Sequence, residues 1–376
     1  MIMEGLKISI PRRLFYIRVC VSFGLIISFL LSLNLWGGER YFPDSPVFSN
    51  FFLKAPYDYF LVILSILFLL SSLFFEKSRL FIFLALTVNI FLVLFDLNRL
   101  QPWFYVYNAI LFVLLFYNGR VDNTGKYTTI FIFIQLIIAS VYIYNGINQL
   151  NPMFLSTDFY NVISPLNEIV SARQFDFFMK AGSAVPYFII FIGLGLIIRP
   201  TRYLSISAAF IFHLILLILL FPTAKNSNYA LWFMNFTFAF LDLFLFSGKT
   251  NERYFSFSLL FQKPLFYLVI FAFWIVPFLN FFNYWPNSPT TNFRYGKSNQ
   301  KTISVSRHTF EHLPLYLKHF CVKDRDNYVL KVSDWCLDEL RSEYMPQASL
   351  KSFIESDKLS VTSADVKETE EELSSL

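Results

Sequence analysis

The chain has 376 residues, of which 56% are hydrophobic and only 15% charged, with a formal net charge of +5. That composition excludes a disordered chain, a collagen-like chain and a small disulfide scaffold, and describes a polytopic membrane protein. Lys and Arg flank the apolar runs instead of forming one dense patch, so the basicity is topological and no nucleic-acid partner is expected.

A helix that crosses the hydrocarbon core needs roughly 20 mainly apolar residues. Nine runs predict spans: Phe15–Trp36, Asp58–Phe75, Leu80–Leu97, Trp103–Tyr117, Thr128–Ile147, Val185–Ile198, Tyr203–Phe221, Tyr229–Phe246 and Pro264–Phe282. The first is interrupted by Arg18 and lacks a small-residue cleavage site, so it reads as a retained span and not as a signal peptide. Basic residues gather in every second loop: Lys7, Arg12 and Arg13, then Lys77 and Arg79, Arg120 and Lys126, Arg199 and Arg202, and Lys249, Arg253 and Lys263. Cytoplasmic loops retain Lys and Arg, which predicts a cytoplasmic N-terminus (1–13), a transmembrane domain (14–283) and an extracytoplasmic C-terminus.

Polar residues inside spans are expensive and mark packing or function. Asp96 and Arg99, at an i, i+3 spacing beside Trp103, predict a local ion pair at the membrane interface, and Asp242 predicts pairing with Arg199, Arg202 or Lys249. The fifth span ends in "YNGINQLNP", where Asn145, Asn148 and Gln149 share one helix face and present donors and acceptors together. His213 sits in mid-span with no acid or second His one turn away, which suits hydrogen bonding to a carbonyl, a quinone or a neighbouring helix better than metal ligation. Asn235 is a further polar residue of the eighth span.

Beyond Asn283 the chain turns polar and predicts a small α+β domain (284–358) followed by a disordered acidic tail (359–376). "KTISVSR" and "NYVLKVSDW" alternate like strands, and Asp334–Met345 reads as a short amphipathic helix. Cys321 and Cys336 are candidates for a disulfide, whereas Cys20 is a packing residue of the first span. "HTFEH" (His308–His312) has the spacing of an inverted zinc motif, but Pro314 truncates the helix and no third ligand is apparent, so no metal site is expected.

Taken in order, these segments resemble the HTTM family, the membrane domain shared with vitamin K-dependent gamma-carboxylase and its bacterial relatives. The resemblance covers roughly Arg13 to Phe282. It is carried by Gly146-Ile147-Asn148-Gln149-Leu150-Asn151-Pro152, by Phe212-His213 followed by Asn226, Trp232 and Asn235, and by "YFPDSPVF" and "DLNRLQPWFYVY". It implies an all-α bundle with an extracytoplasmic C-terminal region. It also implies a lysine base acting on vitamin K hydroquinone, and here Gln149 stands at that lysine's position. An amide is no general base near neutral pH, so active carboxylation is not expected.

Two functions follow as expectations. One is a membrane module whose bundle binds an isoprenoid quinone or a lipid at Asn145, Asn148, Gln149, His213 and Asn235. The alternative is an anchor or assembly subunit that presents its extracytoplasmic domain to a protein partner. No catalytic residue is assigned, although Asp96 or His213 would be the base if an enzyme remains. Abundant Phe, Asn, Lys, Ile and Leu fit an AT-rich bacterial genome, which predicts a bacterial inner membrane.

Overall fold

The structure is a computed structural model that describes residues 9–37, 40–48, 56–75, 78–116, 124–151, 154–221, 228–247, 260–279, 301–325, 327–342 and 366–370. Lys7, Lys77, Arg120, Lys249 and Arg253, together with Pro152 and Asn226, lie outside the described residues. The described chain is mostly helical. Up to residue 279 its α-helices are α1 (Ile10–Leu31), α2 (Leu33–Trp36), α3 (Tyr57–Phe74), α4 (Ser78–Phe95), α5 (Pro102–Leu114), α6 (Thr124–Asn148), α7 (Tyr160–Ile163), α8 (Ala172–Ala181), α9 (Val185–Ile197), α10 (Arg202–Leu219), α11 (Tyr229–Phe246) and α12 (Pro264–Leu279).

Among the described residues, seven helical stretches are long and apolar enough to cross a membrane: α1, α3, α4, Thr128–Asn148 of α6, the continuous Ala172–Ile197, α10 and α11. The fourth and ninth predicted spans correspond to the shorter apolar helices α5 and α12. α12 includes a π-helical stretch at Phe271–Ile275. These are the helices of a multi-pass membrane protein.

On α3 and α10 small and polar residues are prominent on the inward face and large apolar residues on the outward one, as packing between helices in lipid favours. On α10 the stripe Ser205, Ala209, His213 and Leu216 is buried while Leu204, Ile211 and Ile218 are exposed. On α3, Asp58, Val62, Ser65, Leu69 and Ser72 are buried, whereas Phe60, Ile63 and Leu67 face out. Ser65 donates to Asn89 Oδ1 and Asn89 to Asn108 Oδ1, both at 2.7 Å, tying α3, α4 and α5 together by amide and hydroxyl bonds. α6 and α9 meet at glycines. A Cβ on Gly146 would come within 2.7 Å of the Pro186 carbonyl oxygen, and one on Gly193 within 2.7 Å of Ile143 Cγ1.

Helix ends are satisfied by long side chains. Arg13 donates to the carbonyls of Phe244 and Leu245, and Gln135 donates to Leu245, so the C-terminal carbonyls of α11 are capped from α1 and α6. Arg202 does the same for Leu196 and Ile197 at the end of α9.

The α4 helix stops at Phe95, so Asp96 and Arg99 stand beyond its end and not inside a span. The predicted pair between them is the longer of two contacts: Arg99 Nε is 3.7 Å from Asp96 Oδ2, whereas Arg40 Nη2 is 2.5 Å away. Asp96 also accepts from the backbone amides of Ser45 and Asn98. Arg99 mainly caps carbonyls, those of Leu35, Trp36 and Leu92. Burial alone would push the Asp96 carboxyl up. Arg40 and Arg99 outweigh it and hold the carboxyl below its ordinary range.

The C-terminal region forms a four-stranded antiparallel sheet of β1 (Lys301–Val305), β2 (Cys321–Asp324), β3 (Asn327–Lys331) and β4 (Val366–Glu370), in the order β2-β3-β1-β4. The predicted strands appear in shortened form, and the predicted helix starts earlier, as Val332–Leu340, and ends where Arg341 takes a left-handed conformation at φ 54°. β4 falls within the predicted acidic tail and pairs with the side of β1 opposite β3. The disulfide is also corrected. Cys321 and Cys336 are not bridged to each other, with Cys321 Sγ directed at the Leu317 carbonyl and Cys336 Sγ at that of Ser342.

This domain is fastened to the loop after α1. Glu339 accepts from the amides of Tyr41 and Phe42, the latter at 2.9 Å, and from Trp335 Nε1 at 2.7 Å. Its carbonyl accepts from Asn34 at 3.0 Å. Tyr41 stacks on Tyr316 and Phe42 packs edge-on against Trp335.

Candidate functional site

Three helices bring a chain of polar side chains together in the bundle interior. Tyr142 of α6 places its hydroxyl 2.5 Å from His213 Nε2 of α10 and 2.5 Å from Asp242 Oδ2 of α11. His213 Nδ1 lies 3.0 Å from Asn235 Oδ1 of α11, and Asn235 Nδ2 donates to the Leu231 carbonyl at 3.0 Å. All four side chains are buried.

Local sequence explains each placement. His213 lies two turns beyond Ser205 on the inward stripe of α10, so the ring has to point into the bundle. Asn235 and Asp242 are seven residues apart and share a face of α11. Tyr142 is positioned from behind by Gly193, whose missing side chain leaves the space its own Cβ and backbone occupy: a Cβ there would be 2.9 Å from Tyr142 Cβ.

A cavity of about 50 Å³ opens between α6, α10 and α11, lined by Tyr142, Asn145, His213 and Asn235 with an apolar rim that includes Phe212, Leu216 and Met234. Asp242 is not among its lining residues and stands behind Tyr142. The predicted pocket is thus partly assembled. Asn145, His213 and Asn235 line one cavity, but Asn148 and Gln149 do not. Gln149 is buried and donates back to Asn145 Oδ1 at 3.3 Å, while the Asn148 carbonyl accepts from Asn151 at 2.6 Å, so both help to finish the end of α6.

Asp242 also departs from expectation. It meets Tyr142 and His213, not the arginines: Arg202 is occupied at the end of α9, and Lys249 lies outside the described residues. Asp242 lies on the buried face of α11, where the Tyr142 hydroxyl and the His213 imidazole are its neighbours. Tyr142 was missed. Its signal was present, since Tyr142, Asn145 and Gln149 share one face of α6, but a tyrosine among 21 in the chain is unremarkable by composition.

Elsewhere, His308 and His312 are exposed on a short helix, with ring centroids 4.6 Å apart, and Glu311 pairs with Arg307. Among the described residues no group of three His, Cys, Asp or Glu side chains is placed to hold a metal. No family model, no curated protein and no solved structure matches this chain.

Proposed function

We propose that this protein is a nine-span relative of the HTTM membrane domain that does not carboxylate and that holds the polar tip of an isoprenoid quinone or lipid in its bundle. The observation that carries this is the cavity lined by Asn145, His213 and Asn235, which offers amide and imidazole groups inside an apolar rim. At about 50 Å³ it admits a carbonyl or hydroxyl group and not a whole ring, so the rest of the ligand lies along the helices. Gln149 in place of the family's lysine supports the loss of carboxylation.

The test is mass spectrometry of organic extracts from equal amounts of purified protein. Wild type is expected to carry a near-stoichiometric quinone or lipid that is lost in Asn235→Ala and His213→Ala and retained in Gln149→Ala. The same background lipid in every sample would overturn the proposal.

In the proposed topology residues 1–13 are cytoplasmic, 14–283 span a bacterial inner membrane nine times and 284–358 form an extracytoplasmic domain. The basic loops support it, as does the fastening of the C-terminal domain to the loop after α1, at the opposite end of that helix from the N-terminus. An odd number of crossings is what this requires. The second reading is an anchor that presents the C-terminal domain to a protein partner. It is favoured by Glu339, which fixes that domain in one orientation on the bundle.

A further inference from the structure

The hydroxyl of Tyr142 carries one proton yet meets Asp242 Oδ2 and His213 Nε2, each at 2.5 Å. At that separation each contact needs a hydrogen between its two atoms, since facing lone pairs would repel. The tyrosine proton serves only one of them, so the other is supplied by Asp242 or by His213. His213 is fixed from its far side. The Leu231 carbonyl can only accept, so Asn235 turns Nδ2 toward it and Oδ1 toward the imidazole, and Nδ1 must carry hydrogen.

The count then closes in two ways. In one, Asp242 is a carboxylic acid that donates to Tyr142, and Tyr142 donates to a neutral His213. In the other, an imidazolium Nε2–H donates to Tyr142, and Tyr142 donates to a carboxylate. Both arrangements hold the same protons and have zero net charge. They interconvert when the Asp242 proton moves to the Tyr142 oxygen as the Tyr142 proton moves to His213 Nε2. An ionised Asp242 beside a neutral His213 holds one proton fewer and leaves a contact without hydrogen.

Two further observations agree. Asp242 Oδ1 has no hydrogen-bond partner among the described residues, which an acid carbonyl tolerates better than a buried carboxylate does. Tyr142 and His213 line the cavity while Asp242 stands behind them, so these two side chains connect the carboxyl to it. The titratable groups on the packed helices do not replace this pairing. Cys20 of α1 is within electrostatic reach of Asp242 but directs Sγ to the Thr237 carbonyl, Tyr107 of α5 sits at Thr237, and Arg13 is engaged by carbonyls at the end of α11.

We propose that Asp242, Tyr142 and His213 form a buried proton relay beside the cavity, a site that holds one proton and shuttles it between the Asp242 carboxyl and the His213 imidazole through the Tyr142 hydroxyl. Its ligand class is the proton itself. It stands whether or not a lipid occupies that cavity.

The test uses the full-length protein in lipid nanodiscs. Nitrogen-15 NMR reports the protonation of His213, because the other three histidines, His308, His312 and His319, are exposed on the C-terminal domain and can be replaced for assignment. Infrared spectroscopy in light and heavy water reports protonated carboxyl groups, with Asp242→Asn assigning the band. Over roughly pH 5 to 8, the expected result is either an isotope-sensitive acid band from Asp242 with neutral His213, or no such band with a doubly protonated His213. An ionised Asp242 together with a neutral His213 in the same sample would overturn the proposal. Should Asp242→Asn fail to fold, the wild-type histidine signal and the heavy-water shift of the band still decide it.

Discussion

Gly193 on α9 lies directly behind Tyr142 on α6, so close that a Cβ on the glycine would stand 2.9 Å from the tyrosine Cβ and 3.0 Å from the Ile143 backbone nitrogen. The position of the Tyr142 hydroxyl between Asp242 and His213 therefore depends on a residue that makes no polar contact. Gly193→Val is expected to push α6 and α9 apart at a cost of about 1–3 kcal/mol and to weaken the Tyr142 contacts. Gly193→Ala should do less of both. Thermal unfolding in detergent measures the first effect and the His213 nitrogen shift the second.

Tyr142→Phe removes the oxygen shared by Asp242 and His213 while keeping the ring. A loss of about 1–3 kcal/mol is expected, because two buried groups lose their common partner. Asp242→Asn should then cost less in the Tyr142→Phe background than in wild type, and a double-mutant cycle on unfolding free energies measures that coupling. Independent costs that simply add would mean the two residues do not act through one bond.

Asp96 is held ionised by Arg40 and Arg99 beyond the end of α4. Its folded value lies below the value near 3.9 expected when unfolded, so the stabilisation is complete above about pH 4 and disappears as pH falls through the folded value. Wild type should lose thermal stability on acidification over that range. Asp96→Asn should be less stable near neutral pH by about 3–5 kcal/mol, since it leaves two buried guanidinium groups short of their partner. Its stability should also change less on acidification.

Glu339 serves Tyr41, Phe42 and Trp335 at once. Glu339→Ala is expected to speed hydrogen exchange at the Phe42 amide by roughly 10-fold, the effect of losing about 1.4 kcal/mol of local protection. Protection of the α6 and α11 amides should be unchanged, and mass spectrometry of peptic fragments reads both regions.

Neither Cys321 nor Cys336 is in a disulfide. Denatured protein treated with an alkylating reagent and no reductant should gain three adducts, one each at Cys20, Cys321 and Cys336. In the native state Cys321 should react slowly, since burial pushes its thiol up to about 11, with only partial relief from Lys318.

Much of the bundle was legible because a span is a local property of about 20 consecutive residues, and α3, α4, α10 and α11 fall within a few residues of the predicted runs. The site was legible in its parts. His213, Asn145 and Asn235 stood out as polar groups in apolar runs, and all three line the cavity. What the sequence did not disclose is how the helices are rotated against one another. Asp242 looked local to Arg199 and Arg202 because they are near in the predicted topology, yet the packing of α10 and α11 turns it to His213. Tyr142 needed the same rotational information. The pairing of β4 was hidden for a different reason: "VKETE" carries no apolar alternation, and its order comes from the open edge of β1.

The contact between Phe42 and Glu339 joins positions 297 residues apart. During synthesis the loop after α1 emerges long before Glu339, so the Tyr41 and Phe42 amides wait for their acceptor until the helices between them have been made. Until then that loop, with its two aromatic rings, is left uncovered.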